Sequence, residues 1–151
     1  MAGPDAKQSP WTAPEGEPAV TYLSQEQARD LVALAEQARK ELSQLSGREA
    51  SYSSGAVQLL DEWIDDYLEM MPNPPVAVRL LWTSFLGEMF RRRHDGWWAL
   101  QDGGLVVVCP TDGGDLRMVT VREQIERRIA LGMAESVTYF YNATRIALKL
   151  G

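Results

Sequence analysis

Residues 87–100 read GEMFRRRHDGWWAL, and within this stretch the pattern of the chain changes from helical to extended. Before Gly96, apolar residues recur at the spacing of an α-helix, whereas the residues after it read as the strands of a β-hairpin. The same stretch holds three consecutive arginines, the single histidine of the chain and two adjacent tryptophans. We therefore predict that this stretch joins a central helix to a sheet, and we consider it a candidate binding site as well.

The segments on either side of this junction complete the predicted fold. Three helices precede it: one begins at a capping box of Ser24 and Gln27, one runs from about Ser54 to Met71, and one from Pro75 to about Arg93. After it, WWALQ, LVVVC and LRMVT predict strands separated by the turns DGG and PTDGGD. VREQIERRIAL and AESVTYFYNATRIALKL predict two further helices, and Thr120 with Glu123 can form a capping box at the start of the first of them. The order indicates an α+β fold with three N-terminal helices, a three-stranded antiparallel sheet and two C-terminal helices.

The ends and totals of the chain suggest its organisation and location. Residues 1–22 are rich in proline and poor in aliphatic side chains, so we predict a flexible tail followed by a single domain over 23–151. Trp11 stands out in this tail, either as a disordered residue or as a peg that docks on the domain or on a partner. Without a signal-peptide core, a membrane-length apolar run or a second cysteine beside Cys109, we expect a cytoplasmic protein that does not bind membranes.

Charge is the strongest functional signal in the sequence. The net charge of −6 argues against nucleic-acid binding, which usually begins with a basic face. Like charges four residues apart slightly destabilise a helix, so a run of acids without compensation suggests either a solvated face or a basic partner surface. Such a run lies between Ser53 and Met71, where no lysine or arginine accompanies Asp61, Glu62, Asp65, Asp66 and Glu69.

Catalysis is less favoured, and we predict no catalytic residue, no metal and no cofactor. Carboxylates at this spacing can hold Mg²⁺, but magnesium needs carboxylates that converge from more than one element, and only Glu88 offers itself from a neighbouring helix. His94 and Cys109 show no pairing that would suggest a nucleophile and its base. The glycine pairs lack the patterns of phosphate-binding loops.

The arginine run divides into three environments on a helix, because successive residues point about 100° apart. The apolar stripe of the third helix is centred near Trp82, Phe85 and Met89. Arg91 is predicted to lie opposite this stripe, in solvent. Arg92 follows Glu88 by one turn, in the favourable order for an ion pair. Arg93 falls on the stripe itself, so it must extend off the helix end, lie on an aromatic ring or meet a buried carboxylate.

Two further features of the junction bear on packing. Trp97 and Trp98 begin a strand, so they must face opposite sides of the sheet, and one of them must belong to the core. Gly87 costs the helix about 1 kcal/mol relative to alanine. That cost is explained if a neighbouring element approaches the helix closely at this point.

The combination FLGEMFRR…GWW, followed by VREQIERRIALGMAESVTYFY, resembles a group of small uncharacterised bacterial domains. The resemblance covers roughly residues 55–148 and implies a bacterial cytoplasmic or cell-associated protein without an assigned reaction. It supplies no catalytic residues. The matching positions are Leu86, Gly87, Glu88, Arg91 or Arg92, Gly96, Trp97 or Trp98, Gly132, Phe140 and Tyr141.

Taken together, the sequence favours a non-enzymatic protein-interaction module, for example of the immunity or inhibitor type, that meets a basic partner with its acidic helix. One alternative is a metal-dependent hydrolase of a phosphorylated small molecule, with the ion on Asp61, Asp65, Glu69 and Glu88 and the phosphate on an arginine. Another is a structural homodimer. The candidate binding residues are Asp61, Asp65, Glu69, Glu88, Arg92, Arg93, Trp97 and Trp98.

Overall fold

A computed structural model describes residues 19–151 of the chain, and it has the α+β architecture that the sequence predicts. Residues 1–18, including Trp11 and most of the predicted tail, lie outside the described residues. Across the described residues, no helix has the length and apolar character needed to cross a membrane. The elements in chain order are β1 (Thr21–Tyr22), α1 (Gln25–Ser46), α2 (Ser54–Met70), α3 (Val76–Arg93), β2 (Trp97–Gln101), β3 (Gly104–Pro110), β4 (Leu116–Val119), α4 (Val121–Leu131), a short 3₁₀ turn (Gly132–Glu135) and α5 (Val137–Leu150).

The sheet has four antiparallel strands in the order β1-β2-β3-β4, one more than the sequence predicts. The additional strand is β1, whose two residues lie in the segment predicted as tail, and Tyr22 pairs with Ala99. Its pairing partner lies far along the chain, so no local pattern marks it. The hairpin of β2 and β3 forms as predicted, with Trp98 opposite Val107.

Helix α3 is the central element of the fold. It contacts α1, α4, β2 and β3, and every residue from 82 to 90 is buried. A helix surrounded in this way must be apolar over most of its girth, which is the pattern that its sequence shows. The main core lies between the helices and one face of the sheet, where Trp98, Val107 and Val119 meet side chains from all five helices.

The predicted end signals of α1 are both confirmed. Ser24 and Gln27 form the predicted reciprocal capping box, with bonds of 3.1 and 2.9 Å. Gly47 ends α1 in the left-handed conformation, with φ of 71°. The sequence also predicts a capping box of Thr120 and Glu123 at the start of α4, and this is wrong, because Thr120 makes no side-chain capping bond.

Candidate functional site

The first polar cluster joins α2 to the C-terminal helices around the carboxylate of Asp61. Asp61 is 4% exposed, and its Oδ1 accepts a hydrogen bond of 2.8 Å from Nε of Arg128, which is fully buried. Backbone N–H groups of Val137 and Thr138 donate to the same carboxylate at 3.1 and 3.0 Å. The hydroxyls of Ser136 and Thr138 donate to Oδ2 at 2.8 and 2.6 Å. Asp61 thus caps the N-terminus of α5 from another helix and neutralises a buried arginine.

This environment stabilises the charged form of Asp61. Burial alone would raise the pKa of its carboxyl, but the hydrogen bonds from Thr138, Arg128 and Ser136 outweigh burial and leave the pKa below its ordinary value. Asp65 joins the cluster from one turn further along α2, where Oδ1 receives Nη2 of Arg128 at 2.6 Å. Its side chain remains 49% exposed. Asp61 is therefore a buried structural carboxylate, whereas Asp65 binds Arg128 and is also exposed to solvent.

The second polar cluster lies in the junction stretch and is built around Glu88. This carboxylate is fully buried, and four N–H groups point at it. Oε2 accepts from Nε of Arg91 at 2.5 Å and from Nε1 of Trp98 at 2.8 Å. Oε1 accepts from Nη2 of Arg91 and from Nε of Arg92, both at 2.8 Å. Burial alone would raise the pKa of Glu88, but the donated hydrogen bonds hold it below its ordinary value.

The Glu88 cluster continues towards α1 through an aromatic ring. The guanidinium carbon of Arg92 lies 4.0 Å from the centre of the Tyr52 ring, a cation–π contact. The Tyr52 hydroxyl donates to Glu36 at 3.1 Å, and Arg39 binds the same carboxylate through two nitrogens. Charges from α1 and α3 are therefore paired within the molecule at this corner.

Of the three arginines, only Arg91 differs from its predicted environment. The predicted pair of Arg92 with Glu88 is confirmed. Arg91 was expected in solvent, and this is wrong, because the side chain is only 12% exposed and binds Glu88. Arg93 extends off the helix end, the first of its three predicted alternatives, where it is exposed and donates to the backbone oxygen of Tyr52 at 3.2 Å. The prediction for Arg91 failed because α3 is buried on every side over residues 82–90, so the face that carries Glu88 is covered and Arg91 pairs with it there.

Trp97 and Trp98 lie on opposite faces of the sheet, as predicted. Trp98 is buried in the main core, and Trp97 is partly buried on the other face, beside Val108 in the register. The expected close approach to Gly87 is also confirmed. A Cβ atom added at Gly87 would overlap Cη2 of the Trp98 ring.

This contact makes Gly87→Ala a sharp test of the junction. We expect the added methyl group to displace the Trp98 ring and to lower the free energy of unfolding by about 1–3 kcal/mol. Urea unfolding measures the change. Gly55→Ala in α2 is the matched control, since a Cβ at Gly55 meets nothing within 4 Å. Equal stability of the two variants would contradict the packing described.

The four carboxylates predicted for a metal site, Asp61, Asp65, Glu69 and Glu88, do not converge on one point. Asp61 and Asp65 bind Arg128, whereas Glu88 binds Arg91 and Arg92. Over residues 19–151, no group of three or more His, Cys, Asp or Glu side chains is arranged to hold a metal ion.

The acids left at the surface of α2 border a shallow groove between α2 and the end of α1. Glu62 and Asp66 line it together with the apolar side chains of Leu45, Leu59 and Trp63. Leu45 is 58% exposed, so this apolar floor is open to solvent. We call these five residues the acidic groove.

The negative charge at and beside the acidic groove is not neutralised by ion pairs among the described residues. Glu62, Asp66 and Glu69 are exposed, and within the described part of the chain none of them forms an ion pair. Glu69 lies one turn beyond Asp65 and extends the negative surface along α2.

Sequence reasoning missed Arg128, although a signal for it exists. Val121, Ile125 and Arg128 follow one another at helical spacing on the buried side of α4. A charged residue at such a position requires a buried partner, and two of the acids of α2 supply it.

Comparison of the chain with protein-family models finds no match, and searches of the curated proteins and of the solved structures find none either.

Proposed function

We propose that the protein is a non-enzymatic interaction module that binds a partner with a basic surface through the acidic groove. The observation that carries this proposal is the position of Glu62 and Asp66 beside an exposed apolar floor. Binding surfaces commonly combine an apolar centre with a polar rim, and opposite charge accelerates encounter and selects partners. Inhibition of a basic enzyme is one form that such binding could take.

The two buried clusters support this assignment because their carboxylates are already paired within the fold, which leaves only the surface acids of α2 to bind a partner. Asp61 and Glu88 receive their hydrogen bonds from within the fold, so neither carboxylate is directed at a ligand. The uncompensated negative charge of α2 is left on Glu62, Asp66 and Glu69. A basic partner would neutralise it and cover Leu45.

The test is a capture experiment with charge-neutralised variants. A protein retained by the full chain from an extract of its own cells would be identified, purified and titrated against wild type and the double variant Glu62→Gln, Asp66→Asn. We expect the double variant to bind about tenfold more weakly, as two partly screened ion pairs would require. Binding by the wild type should also weaken as salt is raised.

Glu26→Gln with Asp30→Asn is the control, because it removes the same charge from exposed positions on α1. The proposal fails if both double variants bind the partner equally, or if affinity is insensitive to salt. It also fails if the captured protein presents no basic surface.

A further inference from the structure

Positively charged side chains gather around His94, where the end of α3 packs against α5. The ring of His94 lies against Tyr141 of α5, with ring centres 6.2 Å apart. Arg145 and Lys149 follow Tyr141 by about one and two turns, so they lie along the same side of that helix. Arg93 comes directly before His94 at the end of α3. We call Arg93, Arg145 and Lys149 the basic patch.

The side chains of the basic patch form no ion pair with any residue from 19 to 151. Arg93 donates to the backbone oxygen of Tyr52 at 3.2 Å, and Nε of Arg145 donates to the side-chain oxygen of Asn142 at 3.2 Å. Both acceptors are neutral. Arg93 and Lys149 are exposed and Arg145 is half-buried, so an anion in solution can reach the patch.

The imidazole of His94 senses the charge of the basic patch. Burial lowers the pKa of this ring, and the positive charges of Arg93 and Arg145 lower it further, with a smaller contribution from Lys149. Asp95 acts in the opposite direction, but more weakly than either arginine. The electrostatic field at this corner is therefore positive, although the chain as a whole carries a net charge of −6.

We propose that the basic patch is a binding site for a phosphate group. Positive charges held close together repel one another, and a bound anion relieves that repulsion. Arginine presents its N–H groups in a planar fork that matches phosphate oxygens, and lysine adds a point charge. A phosphate group carries about two negative charges near neutral pH, so it offsets more of the patch than a single carboxylate does.

The phosphate group has two possible sources, a small phosphate compound and a phosphorylated side chain of a protein, because both present the same oxygens. The basic patch shares no residue with the acidic groove. Phosphate binding is therefore independent of the proposed function.

NMR of the untagged full chain tests for phosphate binding, because His94 is the only histidine of the sequence and its ring protons are readily followed. The pH titration of His94 would be recorded in sodium phosphate and in sodium chloride at equal ionic strength. We expect the pKa of His94 to be higher in phosphate, because a bound anion opposes the charges of Arg93 and Arg145. At constant pH, the same resonances should move with half-saturation at about 1–10 mM phosphate.

Two variants locate the binding on the basic patch. Arg145→Gln should weaken phosphate binding about tenfold, and it should raise the pKa of His94 even without phosphate. Lys149→Gln should weaken binding about threefold, and its exposed position near the end of α5 makes misfolding an unsuitable explanation. Arg29→Gln is the matched control, because it removes the same charge from an exposed position on α1. It should bind phosphate like the wild type.

Glycerol phosphate and a short phosphoserine peptide, titrated in parallel, distinguish the two sources, since the tighter ligand identifies the compound or the modified chain. Identical His94 titrations in phosphate and chloride would overturn the proposal. Wild-type phosphate affinity in both Arg145→Gln and Lys149→Gln would overturn it as well. The cations would then serve only to stabilise the C-terminal ends of α3 and α5.

Discussion

An Asp61→Asn substitution is expected to lower the free energy of unfolding by about 3–5 kcal/mol. The carboxylate of Asp61 is the buried partner of Arg128 and the N-terminal cap of α5. Asparagine keeps one acceptor oxygen but turns an NH₂ group towards donors that already surround the site. It also leaves the buried guanidinium with only Asp65 as a charged partner. Urea unfolding followed by circular dichroism measures the loss.

Asp66→Asn is the matched control, because Asp66 is an exposed acid on the same helix. Its expected effect stays within about 0.5 kcal/mol. A similar loss in the two variants would mean that the Asp61 cluster does not stabilise the fold.

The contribution of Asp61 to stability should also appear in the wild type as a dependence of the unfolding free energy on pH. Because the folded pKa of Asp61 is lowered, the unfolded chain binds the proton more readily. The contribution is present in full above the ordinary carboxyl pKa of about 4 and is lost as the pH falls through the lower folded value. The unfolding free energy should therefore fall less steeply with decreasing pH in Asp61→Asn than in wild type. Parallel curves would contradict this linkage.

Glu88→Gln is expected to cost about 3 kcal/mol. Glutamine removes the negative charge to which Arg91 and Arg92 donate, and it places an NH₂ group near their donors and near the indole N–H of Trp98. The loss should be smaller than for Asp61, since Arg92 is 38% exposed and can regain water. Chemical unfolding measures the energy, and near-ultraviolet circular dichroism reports the rearrangement of Trp98.

Glu36→Gln provides the comparison for Glu88. The Glu36 side chain is 39% exposed and pairs with Arg39 near the surface, so its loss should cost at most about 1 kcal/mol. If both variants lost the same stability, burial would not be the reason that Glu88 matters.

Much of the fold could be predicted, because helix caps and hydrophobic periods depend on residues that are close together in the sequence. The box of Ser24 and Gln27 starts α1, and the change of period after Gly96 separates the helices from the hairpin. Strand β1 could not be found in this way. Its two residues carry no periodicity, and it exists only because Thr21 and Tyr22 pair with a strand almost eighty residues later.

The candidate site was harder to predict for the same reason. Helical spacing shows that Asp61 and Asp65 share a face of α2, but it cannot show that Arg128 and the start of α5 cover that face. The pair of Arg92 with Glu88 was predictable because its partners are four residues apart. The ring beneath Arg92 was not, since Tyr52 comes from a loop before α2.

The cap on α5 has a consequence for the way the chain folds. A short helix by itself is only marginally stable, because the backbone of its first turn must lose conformational entropy before the first hydrogen bond forms. In α5 the first turn is held by the side chain of Asp61, which accepts a hydrogen bond from the backbone N–H of Val137, 76 residues later in the sequence. Asp61 in turn requires these donors to tolerate burial. We therefore expect α2 and α5 to become ordered in one cooperative step, so that the C-terminal helix has no independent existence before the α2 surface is in place.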